Sequence, residues 1–202
     1  MKAFILSGSH RAHSQSRRVA DKIMTLLPET VPGAGADLLD LSETVLPFWH
    51  EGVWQRDDRW RVSWHPISAR LKQASAFIVI APEWAGMVPA GVKNFLLYCD
   101  DHELSHKPGL IVGVSASRGG AYPVAELRMS GYKNSRVCWI PDHVIVRQPQ
   151  TELDKAPSGA DHAPSISERL AYGLTMLSLY AGALDQVRVS PSVNYKRFPN
   201  GM

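Results

Sequence analysis

Between an apolar run, Ala3-Phe4-Ile5-Leu6, and a helical pattern beginning near Arg17 lies the segment Ser7-Gly8-Ser9-His10-Arg11-Ala12-His13-Ser14-Gln15-Ser16. A strand that turns through hydroxyl residues into a helix collects unpaired backbone N–H groups, the positive end of a helix dipole and O–H donors in one place. Such a place suits a phosphate. Arg11 adds a permanent charge whose fork matches phosphate oxygens, and Ser9, Ser14 and Ser16 add neutral donors. Neither G-x-x-x-x-G-K-[ST] nor G-x-G-x-x-G is present, which points to a monophosphate rather than a triphosphate or dinucleotide. The competing reading is that Ser14 or Ser16 only caps the helix.

Two other stretches carry chemical spacing. His102-Glu103-Leu104-Ser105-His106 fits H-E-x-x-H, which on a helix sets two imidazoles one turn apart for zinc beside a general base. Lys107-Pro108-Gly109 stops any helix directly afterwards, so the motif is expected at a fraying helix end and no metal site is assigned. Gly113-Val114-Ser115-Ala116-Ser117 approaches the nucleophile elbow G-x-S-x-G but has Ser117 in place of the second glycine. Its hydrolase partners would come from Asp142, His143, Asp161 and His162.

The elements that must position these groups alternate. Ala3–Leu6, Asp37–Leu41, Ala76–Ala81, Leu110–Val114, and Val137–Ile140 with Val144–Val146 read as strands, mostly as the continuous apolar runs of a sheet covered on both faces. Helices are expected from Arg17 to an end set by Pro28 and the Pro32-Gly33-Ala34-Gly35 cluster, over Ile67–Ala74, around Val92–Cys99, over Pro123–Lys133, and along Leu170, Leu174, Leu177 and Leu184. Residues 47–66 form an irregular insertion holding Trp49, Trp54, Trp60 and Trp64, and residues 148–164 a polar surface excursion. The 202 residues are expected to form a single domain. Alternating strands and helices predict a doubly wound α/β fold: a five-stranded parallel sheet in order 2-1-3-4-5, with helices on both faces. The loops after Leu6, Ala81 and Val114 would then meet at one crevice.

Charge and composition exclude other classes. A net charge of +3 is scattered among 19 acidic residues without a basic stripe, so no nucleic-acid partner is expected. Cys99 and Cys138 both lie in apolar stretches, consistent with packing in a reducing compartment. No signal-type segment and no run of about 18 apolar residues occurs, so a cytoplasmic protein without membrane association is expected.

The second of the three loops reads Ala81-Pro82-Glu83-Trp84-Ala85-Gly86-Met87-Val88-Pro89-Ala90-Gly91-Val92-Lys93-Asn94. With Gly8-Ser9-His10-Arg11-Ala12-His13-Ser14 it resembles the NADPH-dependent FMN reductase family, whose loops read G-S-x-R-x-x-S and P-E-Y-N-x-x-x-P-x-x-x-K-N. Ser115-Ala116-Ser117-Arg118-Gly119-Gly120 is similar to that family's Ser/Gly-rich third loop, and the resemblance spans about Lys2 to Arg147. It implies a flavodoxin-like fold, with Ser9, Arg11, Ser14, Gln15 and Ser16 holding the FMN phosphate, Ser16 standing where members often have Asn. Pro82, Glu83, Trp84, Ala85 and Gly86 would line the isoalloxazine edge, largely through backbone, and Ser115, Gly119 and Gly120 would close its other side. Trp84 and Ala85 replace the usual Tyr and Asn, so the Asn amide contacts are absent.

The implied activity is NAD(P)H-dependent: electrons pass from NADPH or NADH through FMN to a quinone, flavin, azo compound or similar small acceptor, with no catalytic side chain required. A flavin-binding or electron-transfer module without nicotinamide turnover is the alternative, and a hydrolase a further one. The Trp-rich insertion, with Arg56, Asp57, Asp58, Arg59 and Arg61 among its aromatics, has the composition of a subunit interface, and the resemblance implies a homodimer or homotetramer.

Overall fold

The computed structural model describes residues 1–55, 57–100, 103–156 and 162–199, with Arg59 described by its backbone alone. Five strands, β1 (Lys2–Ser7), β2 (Gly35–Asp40), β3 (Ala76–Pro82), β4 (Pro108–Ser115) and β5 (Cys138–Arg147), form one parallel sheet in the order β2-β1-β3-β4-β5. Helices α1 (Gln15–Thr30), α2 (Asp58–Gln73), α3 (Ala90–Tyr98), α4 (Ala121–Met129), α5 (Pro149–Glu152) and α6 (Ile166–Arg188) complete it. This is the flavodoxin-like doubly wound arrangement anticipated from the alternation of elements.

Each face of the sheet has its own core. Alternate residues of β1 and β3, Ala3 and Ile5 with Ile78 and Ile80, pack beneath Val19, Ile23 and Leu27 of α1 and Leu170, Leu174 and Leu177 of α6. The other set, Phe4 and Leu6 with Phe77 and Val79, packs beneath Ile67 and Leu71 of α2, Val92 and Phe95 of α3 and Leu127 of α4. Because successive strand residues point to opposite faces, both cores draw on the same apolar runs.

Helix α1 ends at Thr30, between Pro28 and the Pro32-Gly33 cluster, since a proline in the last turn costs only one hydrogen bond. Two expectations are corrected. The insertion is irregular only in its first half: α2 begins at Asp58, eight residues before Pro66, and includes it. Trp60, Trp64, Ile67 and Leu71 share one face of α2, and burying that face outweighs the roughly 3 kcal/mol that an internal proline costs. The excursion at 148–164 opens with α5, and Leu153 after it is buried in the α1/α6 core. In addition, α4 ends at Met129, not Lys133; the fifth strand region is one strand as expected, with Pro141 tolerated because β5 is an edge. Among the described residues no helix is long and apolar enough to cross a membrane.

Candidate functional site

Register places the crevice. Ser7 of β1 lies opposite Ile80 of β3, and Pro82 lies opposite Val114 of β4, so the loops after these neighbouring strands leave from one edge. Backbone bonds tie the loops at their roots: Gly8 N–H donates to Ile80 O (2.9 Å), and Glu83 N–H donates to Val114 O (2.9 Å). A Cβ on Gly8 would stand 2.7 Å from that carbonyl and 2.4 Å from Val92, which is why glycine is needed there.

In the first loop, Ser9 and Ser16 are buried while Arg11 is exposed. Ser9 Oγ accepts from Arg11 N–H (3.2 Å) and Ser14 Oγ accepts from Arg17 N–H (3.1 Å), so Ser14 is the N-cap of α1. With Arg17 N–H satisfied in this way, the N–H groups of Gln15 and Ser16 in the same first turn have no helical acceptor. Three side-chain atoms here, Ser7 Oγ, Gln15 Oε1 and Ser16 Oγ, are buried without a hydrogen-bond partner. Buried hydroxyls are ordinarily paired, so this concentration of unmet polarity marks a place built for a polar ligand. The cations divide as well. Arg17 pairs with Asp21, Asp40 and Glu43, which push its pKa up, and Arg18 pairs with Asp154. Arg11 has no carboxylate partner among the described residues, which leaves its charge for a ligand.

The second loop is a tight reversal. Trp84 and Met87 exchange backbone bonds (3.1 and 2.9 Å) across Ala85 (φ 50°) and Gly86 (φ 72°). Two positive φ values define a turn that prefers Asn-Gly, so Ala85 sits in a left-handed conformation costing a Cβ-bearing residue about 1 kcal/mol. The Trp84 ring lies 5.9 Å from that of His10, joining the first loop to the second. Beyond the turn, Val88 N–H donates to Glu126 of α4 (2.7 Å), and Glu126 also pairs with Lys93 of α3. Asn94 accepts from Trp49 N–H (2.8 Å) and donates to Pro47 O (2.9 Å), fastening the start of the Trp-rich segment to α3.

The third loop is held from both sides. Gly120 N–H donates to the Glu83 carboxylate (2.5 Å), and Arg147 Nε donates to the carbonyls of Arg118 (2.7 Å) and Gly119 (3.0 Å). Ser115, half-buried, accepts from Ser117 N–H through Oγ (3.2 Å). The thirteen expected cofactor residues therefore gather at the carboxyl ends of β1, β3 and β4, on the three loops and the elements they join, although Ser14 and the Glu83 carboxylate serve the protein's own backbone. Asn94 was visible as the end of the second-loop motif, but its partners were not; Arg147 and Glu126 were not legible beforehand, since their partners are distant in sequence.

The other chemical stretches come apart. His102, Asp161 and Arg56 lie outside the described residues. Helix α3 ends at Tyr98, so Glu103 and His106 occupy a turn; Glu103 faces Ser68 of α2 (2.5 Å) and His106, at φ 53°, stacks on Tyr195. Burial, then Asp100, pushes Glu103 up to about 7. His143 lies opposite Ile111, four residues down β4 from Ser115, too far for a nucleophile–base pair. A concavity of about 1280 Å³ runs along α2, α3 and α4 and meets the second loop only at Val88 and Lys93, so volume and chemistry disagree. Chemistry decides, because Ser7 Oγ, Gln15 Oε1 and Ser16 Oγ bring three unpartnered buried atoms together at the first loop. Of the tryptophans, Trp60 is buried against His50 and Tyr98, and Trp64 packs on Phe95 and Tyr98. Those two fold back on their own chain, whereas Trp54, paired edge-on with Trp49, is 74% exposed.

The model of the NADPH-dependent FMN reductase family matches residues 1–151. The chain belongs to that family. Its members are oxidoreductases that work with FMN and NAD(P)H, and the first loop fits this: unmet buried hydroxyls, free helix N–H groups and an unpaired arginine match the phosphate of FMN. No curated protein matches by sequence. Solved structures similar to this FMN reductase family chain include an oxidoreductase from Corynebacterium diphtheriae, at 18% identity and TM-score 0.68, covering 90% of this chain and 97% of that one. The apo form of the NADH:FMN oxidoreductase EmoB has 15% identity and TM-score 0.66, with 88% of each chain covered. FerB, an NAD(P)H:(acceptor) oxidoreductase from Paracoccus denitrificans, has 18% identity and TM-score 0.57, covering 92% and 97%. At these identities the structural likeness speaks for the fold, and the family match for the activity class.

Proposed function

We propose that the chain holds FMN across the three loops and passes reducing equivalents from NADPH or NADH to a small acceptor of the quinone, flavin or azo class. FMN, when bound, supplies the ring that takes hydride from nicotinamide and hands electrons on. The protein's part is to bind and orient. The first loop takes the phosphate through Ser9, Arg11, Ser16 and the α1 N-terminus, with Ser14 shaping the turn and Gln15 bordering it. Pro82, Glu83, Trp84, Ala85 and Gly86 on one side, and Ser115, Gly119 and Gly120 on the other, frame the ring. No side chain in the crevice is assigned as acid or base.

The observation carrying this reading is the cluster of buried, unpartnered polar atoms at the first loop, set at the same strand ends as the second and third loops. The test is an absorbance titration. FMN should bind at micromolar concentration, and added NADPH or NADH should bleach it within the mixing time of a rapid experiment. Binding without bleaching would leave an electron-transfer module; no binding would end the reading. The same proposal includes cytoplasmic residence and a homodimer or homotetramer with exposed Trp54 at its contact, checked by whether Trp54→Ala lowers the sedimentation mass.

A further inference from the structure

We propose that Glu83 and Arg147 are a pair of positioning residues that pin one peptide of the third loop from opposite sides, and so aim the Gly119 N–H into the crevice as a fixed donor. The inference rests on the FMN reading above. It gives Glu83 a role other than contact with the cofactor, and brings in Arg147, which the family pattern leaves out.

The Gly119–Gly120 peptide is gripped at both poles. Its carbonyl accepts from Arg147 Nε (3.0 Å), and its N–H donates to Glu83 Oε2 (2.5 Å). In a trans peptide the C=O and N–H point in opposite directions, so these two residues must stand on opposite sides of the loop. Arg147 comes from the end of β5, and Glu83 from the second loop. The preceding peptide follows from the same geometry. Its carbonyl, Arg118 O, also accepts from Arg147 Nε (2.7 Å), so its N–H, on Gly119, is turned away from Arg147 and towards the second loop. That N–H has no acceptor in the protein among the described residues.

Packing leaves the loop little alternative. A Cβ on Gly119 would come within 2.5 Å of Glu83 Oε1, and a Cβ on Gly113 within 2.3 Å of Gly120 O. Gly120 itself has φ 100°, where a side chain is strained, and a Cβ there would meet Ile145 at 2.6 Å. The Glu83 backbone is equally fixed, since its N–H prolongs the β3–β4 ladder by one bond to Val114 O. A donor held in this way is already oriented before a ligand arrives, so little ordering entropy is lost on binding.

The test measures dissociation constants of FMN and riboflavin by flavin fluorescence quenching for the wild type, E83A, E83Q and R147M, with the thermal midpoint of each apoprotein measured alongside. Riboflavin lacks the phosphate, so a ring-end device must affect both ligands alike. E83A and R147M are expected to weaken both by up to about tenfold, the upper end for one neutral hydrogen bond. E83Q, which keeps an acceptor oxygen, should recover most of the loss. A loss confined to FMN would overturn the proposal, as would E83Q behaving like E83A, or a loss that simply tracks a fallen thermal midpoint across all three variants. Wild-type protein that binds neither flavin overturns the cofactor reading itself; wild-type binding with E83A and R147M unchanged overturns the clamp alone.

Discussion

Two stretches that look chemical in the sequence bury polar atoms in opposite ways. At the first loop, Ser7 Oγ, Gln15 Oε1 and Ser16 Oγ are buried and meet nothing. In the H-E-x-x-H stretch and the residue after it, two buried charged groups are met by the protein itself, although Arg188 Nη1 nearby is buried without a partner: Glu103 accepts from Ser68 (2.5 Å) and from Asp100 N–H (3.0 Å), and Lys107 donates to Leu71 O (2.6 Å), capping α2. A partnered buried group is a finished piece of architecture; an unpartnered one is unfinished until something binds. The contrast supports the binding role proposed for the first loop and a structural role for Glu103 and Lys107.

The partnered stretch gives the largest predicted effect. Glu103 keeps its proton up to about pH 7 in the folded chain, against 4.5 for its ordinary value, chiefly because it is buried. Between those values the folded state binds more protons than the unfolded one, so stability falls as pH rises through the window. The full shift corresponds to about 3 kcal/mol. Lys107, pushed down to about 8 by burial, acts only above that window, where stability is regained as pH climbs towards 10.5. Urea unfolding at pH 5 and pH 7.5 should show the wild type losing stability and Glu103→Gln losing none, since burial holds His106 down and that shift favours the higher pH. A wild type equally stable at both pH values would mean that Glu103 is not held as described.

Next in size is Arg11→Ala. Its guanidinium is exposed and unclaimed by any described carboxylate, so solvent screening puts the loss of FMN affinity near the lower end for charged hydrogen bonds, about 1.5 kcal/mol. Riboflavin affinity should stay unchanged. Equal losses would show that Arg11 supports the fold and not the phosphate, and the first loop would then resemble the other stretch after all.

How far the sequence reaches follows from the same contrast. The strands and the three loops were legible because Ile78-Val79-Ile80 and its neighbours are unbroken apolar runs alternating with helical patterns, and the sheet order followed from the doubly wound class that this alternation implies. The run of α2 through Pro66 was not, because local rules treat proline as a stop, and only the burial of Trp60 on one side and Leu71 on the other reverses that. Site residues were legible as loop members, but not their division of labour. Ser14 and Ser16 are two residues apart and chemically alike, yet one caps a helix and the other is left without a partner. Nothing in Arg147's neighbours in sequence reveals that its partners are Arg118 and Gly119.

The smallest effect tests the contrast most directly, because it should change sign with ligand. Ser16 Oγ is buried in the first turn of α1 with no partner, so in the apoprotein Ser16→Ala removes an unsatisfied hydroxyl and substitutes a better helix former. Apoprotein stability should therefore stay level or rise by up to about 1 kcal/mol. With FMN bound, the same hydroxyl is expected to donate to the phosphate, and its loss should weaken binding by about 1 kcal/mol, roughly fivefold. Ser68→Ala provides the control, since it strips Glu103 of a partner and should destabilise the chain with or without flavin, by about 1 to 3 kcal/mol. Thermal melts of both variants, run with and without saturating FMN, separate the cases. If Ser16→Ala destabilises the apoprotein as Ser68→Ala does, the hydroxyl was never waiting for a ligand, and the phosphate would have to be held by Arg11 and the helix N–H groups alone.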